Sequence, residues 1–309
     1  MKNFNYDILK DPTCFAVNCM ESHSDNIHYK NPLEEESGAS SFYYSLDGVW
    51  KFAYAKNYSL SVEGFETLDY NAKSWDDIRV PAHIQLEGYD RPQYANVQYP
   101  WEGHEEIRPG EIPEEFNPVA NYVKYFFLPE AMKGEKVILA FEGVESAVSV
   151  WLNGNFVGYH EDSFTKAEFD ISKYLLEGEN KLALSVFKFC ASSWCEDQDF
   201  FRFSGIYRSV YLYSVPKAHI ADVRVKTSLN DNFDKAVLEL KFKLKSEIPA
   251  YIVTKLGESE QKTQLQAVGE AEISESFEIE KPLLWSAEVP NLYKLELMSM
   301  MKAESFWSL

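Results

Sequence analysis

The chain has 309 residues, of which 45% are hydrophobic and 26% charged, and a formal net charge of −19 at pH 7; this composition is ordinary for a soluble globular protein of about two domains. The acidic excess argues against partners that need a basic surface, so we expect no nucleic acid and no membrane among its partners. No stretch approaches the roughly 18 apolar residues of a membrane span, and the first residues lack the apolar core of a signal peptide, which predicts a cytoplasmic protein.

Residues 1–40 are predicted to form an irregular N-terminal arm. The segment NPLEEESGASS, residues 31–41, is polar and rich in Gly and Ser, which is typical of a linker. The four cysteines at positions 14, 19, 190 and 195 form two C-x4-C pairs instead of the C-x2-C pairs of common zinc sites. Together with the missing export signal, this spacing predicts free thiols in a reducing compartment.

From residue 41 onward the pattern is one of short β-strands. Residues 147–152 alternate before Asn153-Gly154, a dipeptide that between apolar runs predicts a β-hairpin. Residues 238–245 alternate strictly between apolar and charged, which predicts a strand with one buried and one solvated face. Turn signals about every ten to fifteen residues indicate β-sandwiches.

The chain is therefore predicted to be all-β, with a boundary near Pro216, where aromatic residues become scarce and Lys/Glu alternation begins. A jelly-roll sandwich is expected over 41–216 and an immunoglobulin-like sandwich over 217–309. The second is expected to be incomplete, because residues 298–309, MSMMKAESFWSL, break the preceding alternation. A missing last strand would leave an apolar sheet edge open to association.

The densest group of candidate functional residues is the EDQD motif, with Glu196, Asp197 and Asp199. Three carboxylates in a loop suit a hard cation. They are less suited to be a glycosidase pair, since neighbours in one loop seldom flank a sugar ring about 5–9.5 Å apart. The other interpretation is a solvated acidic turn that pairs with Arg202 or Arg208.

A second candidate is the loop of residues 88–104, GYDRPQYANVQYPWEGH. Aromatic faces can cover the apolar face of a sugar, and amides and carboxylates can bind its hydroxyls. The aromatic residues of this loop could equally well pack against one another. Trp151 and His83 are interpreted as packing or polar core residues, and no nucleotide-binding or serine-nucleophile motif is present. The residues relevant to a sugar site are Tyr89, Asp90, Gln93, Tyr94, Asn96, Gln98, Tyr99 and Trp101.

Six colinear segments resemble the N-terminal portion of a bacterial glycoside hydrolase family 2 β-galactosidase. Two of them, around YANVQYP and EDQDFFRFSGIYR, favour β-galactosidases over the glucuronidases and mannosidases of the family. The segments are SLDGVWKF (45–52), VPAHIQLEGYDRPQYANVQYP (80–100), FEGVESAVSVWLNGNFVGYHEDSFTKAEFDIS (141–172), GENKLALSV (178–186), EDQDFFRFSGIYRSVYL (196–212) and LLWSAEVPNLY (283–293).

This resemblance implies a jelly-roll sugar-binding domain, an immunoglobulin-like domain and then a catalytic (β/α)8 barrel. It also implies two substrate-binding residues: Asn96 reaches the galactose subsite, and Asp199 contacts a galactosyl hydroxyl and ligates sodium. An amide and a carboxylate have the chemistry for these roles.

Two departures from the family pattern affect these expectations. A magnesium site between the arm and the jelly roll needs an acidic residue where Ala191 stands, and Ile8 replaces an arm carboxylate, although Asp7 and Glu161 are near. That site is predicted to be lost, which leaves magnesium only in the barrel. The barrel itself, which carries the acid/base and nucleophilic glutamates of a retaining glycosidase, has no counterpart in 1–309, so no catalytic residue is predicted.

The leading hypothesis is the non-catalytic N-terminal part of a retaining β-galactosidase that acts on terminal β-D-galactosides such as lactose, inactive alone and supplying one wall of the galactose subsite. Such a chain would be a truncated or frame-shifted product, or a fragment. A complementing or oligomerisation subunit for a separately encoded barrel is one alternative. A stand-alone carbohydrate-binding module is another, disfavoured because half a site offers few contacts to offset the entropy of binding. The expected partners are a β-galactoside and either further copies of the chain or the missing catalytic domains.

Overall fold

Most of the regular secondary structure in the described residues is β-strand, which confirms the predicted all-β class. The computed structural model describes residues 4–25, 27–264 and 268–301. The helices are α1 Pro32–Ser37 and α2 Ser193–Glu196, with single 3-10 turns at Tyr6–Lys10, Tyr58–Leu60, Ile84–Glu87, Glu130–Met132 and Ser172–Tyr174. The strands are β1 Ala16–Val17, β2 Tyr43–Ser45, β3 Gly48–Ala55, β4 Asp76–Val80, β5 Gln93–Ala95, β6 Val119–Phe127, β7 Lys136–Phe141, β8 Val144–Glu145, β9 Ala147–Leu152, β10 Asn155–His160, β11 Ala167–Asp170, β12 Glu179–Phe187, β13 Phe200–Arg202, β14 Gly205–Ile206, β15 Val210–Val215, β16 Ala218–Leu229, β17 Lys235–Ser246, β18 Ala250–Leu256, β19 Ser259–Gln264, β20 Gly269–Glu280 and β21 Leu295–Met301.

The chain divides into two compact units. The first contains Tyr29–Ser214 and the N-terminal residues up to Glu21, and the second contains Ser22–His28 and the residues from Val215 onward. Part of the predicted arm therefore belongs to the second unit. It is fastened there by Ser24, whose backbone N–H donates to Asp222 Oδ1 at 2.9 Å and whose Oγ accepts from the backbone N–H of Val223 at 2.8 Å.

The first unit is a sandwich of two antiparallel sheets. The larger has the strand order β1-β10-β9-β12-β6-β3-β4, and the smaller has the order β11-β7-β15-β2. Trp50 and Val150 from the larger sheet meet Leu139 and Leu212 from the smaller in one buried apolar core. Because alternate residues of a strand face the same way, Val137, Leu139 and Phe141 of β7 all contribute to that core.

The predicted hairpin at Asn153-Gly154 is confirmed. Leu152 of β9 pairs with Asn155 of β10, and both turn residues have positive φ, 52° and 79°, as a type I′ hairpin turn requires. The burial of β9 is less regular than its sequence indicates, since all six of its residues are buried. The reason is that the outer face of the larger sheet is covered too, by a second core that contains Ile8, Phe65 and Ile112.

A buried lysine fastens part of that cover. Lys181 of β12 is 3% exposed, and its Nζ donates to the carbonyl oxygens of Phe65, Thr67 and Tyr70 at 2.7, 2.6 and 2.6 Å. Replacing Lys181 with Met should lower the free energy of unfolding by about 2 kcal/mol, because buried carbonyls lose a charged donor. Urea unfolding measures this, with Lys124→Met as the control because Lys124 is only half-buried and donates to a single carbonyl; equal midpoints for the two variants would contradict the prediction.

One prediction for the arm is wrong. Residues 31–41 were expected to be an irregular linker, but Pro32–Ser37 form α1. Asn31 Oδ1 accepts from the backbone N–H of Glu34 at 3.1 Å, Pro32 opens the first turn, and Gly38 with φ of 70° ends the helix. These start and stop signals were visible in the sequence, but the helix buries no residue and so has no apolar periodicity to reveal it.

The second unit contains two three-stranded sheets, β16-β17-β20 and β19-β18-β21. The predicted two-faced strand is confirmed as β17, in which exposed and buried residues alternate along the whole length. Its buried residues, among them Leu240 and Phe242, pack with Ile252 of β18. Of the tail expected to break the alternation, residues 298–301 continue β21, and 302–309 lie outside the described residues.

The four cysteines are free thiols, as predicted, with Cys190 buried and Cys195 exposed. Across the described ranges, no helix is both long and apolar enough to span a lipid bilayer.

Candidate functional site

The two loops singled out in the sequence meet in a small two-stranded ribbon. β5, from the loop of residues 88–104, pairs antiparallel with β13, which follows the EDQD motif. Ala95 lies opposite Phe200 in this ribbon. Asn96 directly follows β5 and Asp199 directly precedes β13, so the antiparallel register brings both to the same end of the ribbon.

A polar cluster forms at that end of the β5–β13 ribbon. Tyr94 Oη donates to Asp199 Oδ1 at 2.7 Å, and the Asn96 side chain also lies within reach of the Tyr94 hydroxyl. The hydrogen bond to the Asp199 carboxylate raises the pKa of Tyr94. All three residues are exposed, so an amide, a carboxylate and a phenol are offered together to a ligand from solvent.

The three carboxylates of the EDQD motif divide between the interior and the surface. Asp197 is 2% exposed and forms an ion pair with the buried guanidinium of Arg202, whose Nη2 is also 3.8 Å from Glu196 Oε2. Glu145, at the end of β8, lies 3.2 Å from Arg202 Nη1. Pairing with Arg202 is thus confirmed for two of the three motif carboxylates, and only Asp199 is left to face solvent.

Burial controls the proton affinity of this cluster. Desolvation raises the pKa of Glu145 to about 7 and that of Asp197 to about 6, although Arg202 opposes both shifts. The cluster joins the EDQD turn to β8, and it holds the turn from its inner side. The backbone of Asp199, with φ of 51°, then carries its side chain outward, in a conformation that aspartate tolerates better than most residues.

A second buried ion pair anchors the start of the 88–104 loop. Lys188 Nζ contacts Asp90 Oδ2 at 2.6 Å, and both side chains are nearly inaccessible. Gln85 Nε2 donates to the same oxygen at 3.0 Å and to Ser204 Oγ at 2.9 Å. Asp90 is therefore an internal residue of the loop and is not presented to a sugar.

Most aromatic residues of the 88–104 loop pack, as one of the two interpretations predicts. Trp101 is buried, and Tyr99 stacks on it with ring centroids 4.9 Å apart. Tyr94 is different: it is 56% exposed and lies against Phe201, which is 59% exposed, at 4.9 Å. Val97 is 96% exposed. An apolar surface thus adjoins the polar cluster, as a sugar with one apolar and one hydroxylated side would require.

The two remaining candidates, Trp151 and His83, pack against other side chains. Trp151 is 8% exposed and packs in the outer core. His83 stacks on Tyr207 with ring centroids 5.1 Å apart, and its Nδ1 is 3.6 Å from Glu145 Oε2. Both therefore fit their interpretation as packing or polar core residues.

Three residues of the site, Glu145, Lys188 and Phe201, were not predicted from the sequence. Lys188 was detectable in principle, because it is the one charge in the apolar run of residues 182–190, and a buried charge needs a partner. Glu145 stands near Glu142 and Ser146 and gave no comparable signal. Phe201 gave no such signal, since only the pairing of β13 with β5 brings it beside Tyr94.

The position expected for an arm magnesium site is occupied by protein contacts. The backbone N–H of Ala191 donates to Leu9 O at 2.8 Å. Glu161 is buried, and its carboxylate accepts from Tyr159 Oη at 2.5 Å and from the backbone N–H of Ser192 at 3.0 Å. In the part of the chain that the structure describes, no group of three or more His, Cys, Asp and Glu could hold a metal. The loss of that site stays a prediction.

Two family descriptions match the chain: "Glycosyl hydrolases family 2, sugar binding domain" at residues 43–216 and "Glycosyl hydrolases family 2" at residues 218–305. The chain is 46% identical over 299 residues to a β-galactosidase of Halalkalibacterium halodurans, a match that covers 95% of this chain and 30% of that protein. It is 36% identical over 308 residues to a β-galactosidase large subunit of Leuconostoc lactis, a match that covers 95% of this chain and 49% of that subunit.

A solved structure shares the fold. The crystal structure of Bacteroides uniformis β-glucuronidase superposes with a TM-score of 0.66 at 20% identity, over 84% of this chain and 30% of that one. The chain thus spans between 30% and 49% of the length of the two curated relatives described above.

Proposed function

The chain belongs to glycosyl hydrolases family 2, and we propose that it is the non-catalytic portion of a retaining β-galactosidase acting on terminal β-D-galactosides such as lactose. The observation that carries this proposal is the meeting of Asn96 and Asp199 at one end of the β5–β13 ribbon. The likeness to β-galactosidases over almost the whole chain supports a galactoside as the ligand.

The polar cluster has the chemistry of one wall of a sugar subsite. The Asn96 amide can both donate to and accept from hydroxyl groups, and the Asp199 carboxylate accepts. Tyr94 and Phe201 provide the adjoining apolar surface. One wall offers few contacts against the entropy lost on association, so the chain alone should bind sugars weakly. A stand-alone carbohydrate-binding module is therefore not favoured.

Asp199 is also the proposed sodium ligand. Among the described residues its carboxylate accepts one side-chain hydrogen bond, from Tyr94, which leaves oxygen lone pairs available. Carboxylate, amide and phenol oxygens form a hard donor set that fits an alkali cation. A sodium ion bound there would polarise and orient a galactosyl hydroxyl. Magnesium is assigned to the catalytic part of the enzyme.

The catalytic carboxylates are proposed to lie outside this chain. A retaining glycosidase needs two carboxyl groups about 5–5.5 Å apart on either side of the scissile bond. Glu196 and Asp197 are paired with Arg202, so the EDQD motif supplies only Asp199 to a ligand. This division of the motif supports a binding role without a catalytic one.

Under this proposal the catalytic part is either joined covalently or supplied as another subunit, and the involvement of a partner subunit is supported by a relative that is described as a β-galactosidase large subunit, of which this chain covers 49%. A complementing subunit is thus the second candidate function. The predicted homo-oligomer and cytoplasmic location belong to the same proposal, the latter supported by four free thiols.

A chimera tests the proposed function. The chain replaces the matched 30% of the Halalkalibacterium halodurans enzyme, and hydrolysis of o-nitrophenyl β-galactoside is compared with that of the matching β-glucuronide. We expect the chimera to hydrolyse the galactoside and the purified chain to hydrolyse neither. Turnover by the chain alone, or a folded chimera without galactosidase activity, would overturn the proposal.

A further inference from the structure

A cavity opens on the outer face of the larger sheet of the first unit. It is called the outer cavity below, and its lining includes Tyr58, Glu63, Glu66, Trp151 and Ser185. Its volume is about 550 Å³, within the range of roughly 300–1,000 Å³ that is usual for small-molecule sites. None of its described lining residues belongs to the β5–β13 ribbon, so the outer cavity is separate from the proposed sugar subsite.

The walls of the outer cavity are aromatic. Phe4 meets Tyr58 and Trp151 edge-on, with ring centroids 6.2 and 5.7 Å apart, and Trp151 meets Phe156 at 5.9 Å. The face of an aromatic ring is electronegative and attracts a cation. Among the described residues, no Lys or Arg lies over any of these four rings. The chain itself thus leaves these ring faces without a cation.

Two carboxylates add negative charge to the outer cavity. Glu63 is exposed and Glu66 is half-buried, and within the described part of the chain neither makes an ion pair. The ammonium of Lys181 lies near Glu66, but it donates to three carbonyl oxygens. Burial raises the pKa of Tyr58, and Glu66 and Glu63 raise it further, so both carboxylates act on the same aromatic wall.

The floor of the outer cavity offers hydroxyl groups. Ser185 Oγ donates to Asn121 Oδ1 at 2.9 Å, and Asn121 Nδ2 donates to Ser61 Oγ at 2.7 Å, which leaves the Ser61 hydroxyl able to donate to a ligand. Ser149 is directly opposite Ser185 in the β9–β12 register, so both side chains point to the outer face. Ser149 is fully buried, and its hydroxyl has no partner among the described residues. Buried hydroxyls left unpaired are costly, and this row favours a ligand with a polar end.

We propose that the outer cavity binds a small organic cation, an alkylated ammonium with a hydroxyl group, of which choline is the simplest example; this inference does not rest on the proposed function. The rings would contact the alkyl groups around the positive charge, Glu63 and Glu66 would balance that charge, and the serines would bind the hydroxyl. A hydrated metal ion does not fit, because it needs about six oxygen ligands and aromatic walls supply none. A neutral sugar would leave both carboxylates without a counter-charge.

A comparison of choline with its neutral analogue tests the proposal. Dimethylbutanol has the shape of choline, with carbon in place of the ammonium nitrogen. Binding of each to the purified chain is measured at constant ionic strength by saturation-transfer NMR of the methyl protons and by calorimetry. We expect choline to bind about tenfold or more tightly than dimethylbutanol, because only choline gains from the ring faces and the carboxylates.

Two double variants identify the carboxylates that act. Combining Glu63→Gln with Glu66→Gln should weaken choline binding by about tenfold, because the charges opposite the ammonium are lost. Glu106→Gln combined with Glu258→Gln is the matched control, since it changes the net charge equally at two exposed residues outside the described lining; it should leave the affinity unchanged.

Tyr58→Leu tests the aromatic wall. It removes a partly exposed ring but keeps an apolar side chain, and it should weaken choline binding by about fivefold to tenfold. Unfolding in urea, measured in parallel, shows that each variant is folded. Failure of choline to bind, equal binding of dimethylbutanol, or equal weakening by the two double variants would overturn the proposal. Lactose binding that depends on Glu63 and Glu66 in place of choline binding would assign the outer cavity to sugars and also overturn it.

Discussion

Replacement of Arg202 by methionine is expected to lower the free energy of unfolding by about 3–5 kcal/mol, the cost of leaving buried charges without their partner. Arg202 is 1% exposed, and it contacts Glu145 and Asp197, both also buried. Methionine fills much of the same volume, so the loss reports on charge and not on packing. Urea unfolding followed by tryptophan fluorescence measures it.

The free energy of unfolding of Arg202→Met should also depend more strongly on pH than that of the original chain. In the folded protein the pKa values of Glu145 and Asp197 are raised, to about 7 and about 6, from ordinary values of 4.5 and 3.8. The folded state therefore binds more protons than the unfolded state between these limits, and the stability contributed by these groups falls as pH rises through them. Without Arg202 both pKa values should rise further, so the destabilisation should be larger near pH 8 than near pH 5.

Arg208→Met is the control for this experiment. Arg208 is exposed, and its guanidinium donates to backbone carbonyls at 3.1 and 3.4 Å instead of joining a buried ion cluster. Its replacement should cost about 1 kcal/mol or less, with little dependence on pH. If Arg202→Met were as stable as Arg208→Met at both pH values, the guanidinium would not be what holds the EDQD turn.

Asp199→Asn in the chimera is expected to lower kcat/KM for o-nitrophenyl β-galactoside by about a hundredfold, because the substrate hydroxyl loses its hydrogen bond to a charged carboxylate. Asparagine keeps the size of the side chain but removes the negative charge that attracts a cation. The difference in activity between sodium and potassium buffers should therefore shrink in this variant. Rates measured in both salts give the two effects separately.

Asp69→Asn serves as the control, since Asp69 is an exposed carboxylate outside the β5–β13 ribbon; it should leave both the rate and the salt response unchanged. Unfolding of the Asp199→Asn chimera should match that of the parent, because Asp199 is exposed and makes one side-chain hydrogen bond, with Tyr94, within the described part of the chain. A parent-like kcat/KM would remove Asp199 from the proposed subsite.

Local sequence patterns were sufficient to predict many of the strands and one of the hairpins. The alternation in residues 238–245 predicted β17, and Asn153-Gly154 predicted the β9–β10 hairpin, because strand period and turn chemistry depend on neighbouring residues. The same reasoning failed for α1, which is short and wholly solvated and is specified only by its end signals. It also failed for the burial of β9, since the residues that cover its outer face come from distant segments.

The sequence by itself determined which residue types are available to a sugar site: an amide at Asn96, the carboxylates of the EDQD motif and a loop rich in aromatic residues. Only the tertiary structure decided which of them face a ligand. Asp197 is buried because it forms an ion pair with the buried guanidinium of Arg202, which also pairs with Glu145. Glu145 is distant from both residues in the sequence. Tyr94 stays exposed beside Asp199 because β5 pairs with β13. Burial and pairing of charges depend on such long-range contacts, and no local pattern of residues encodes them.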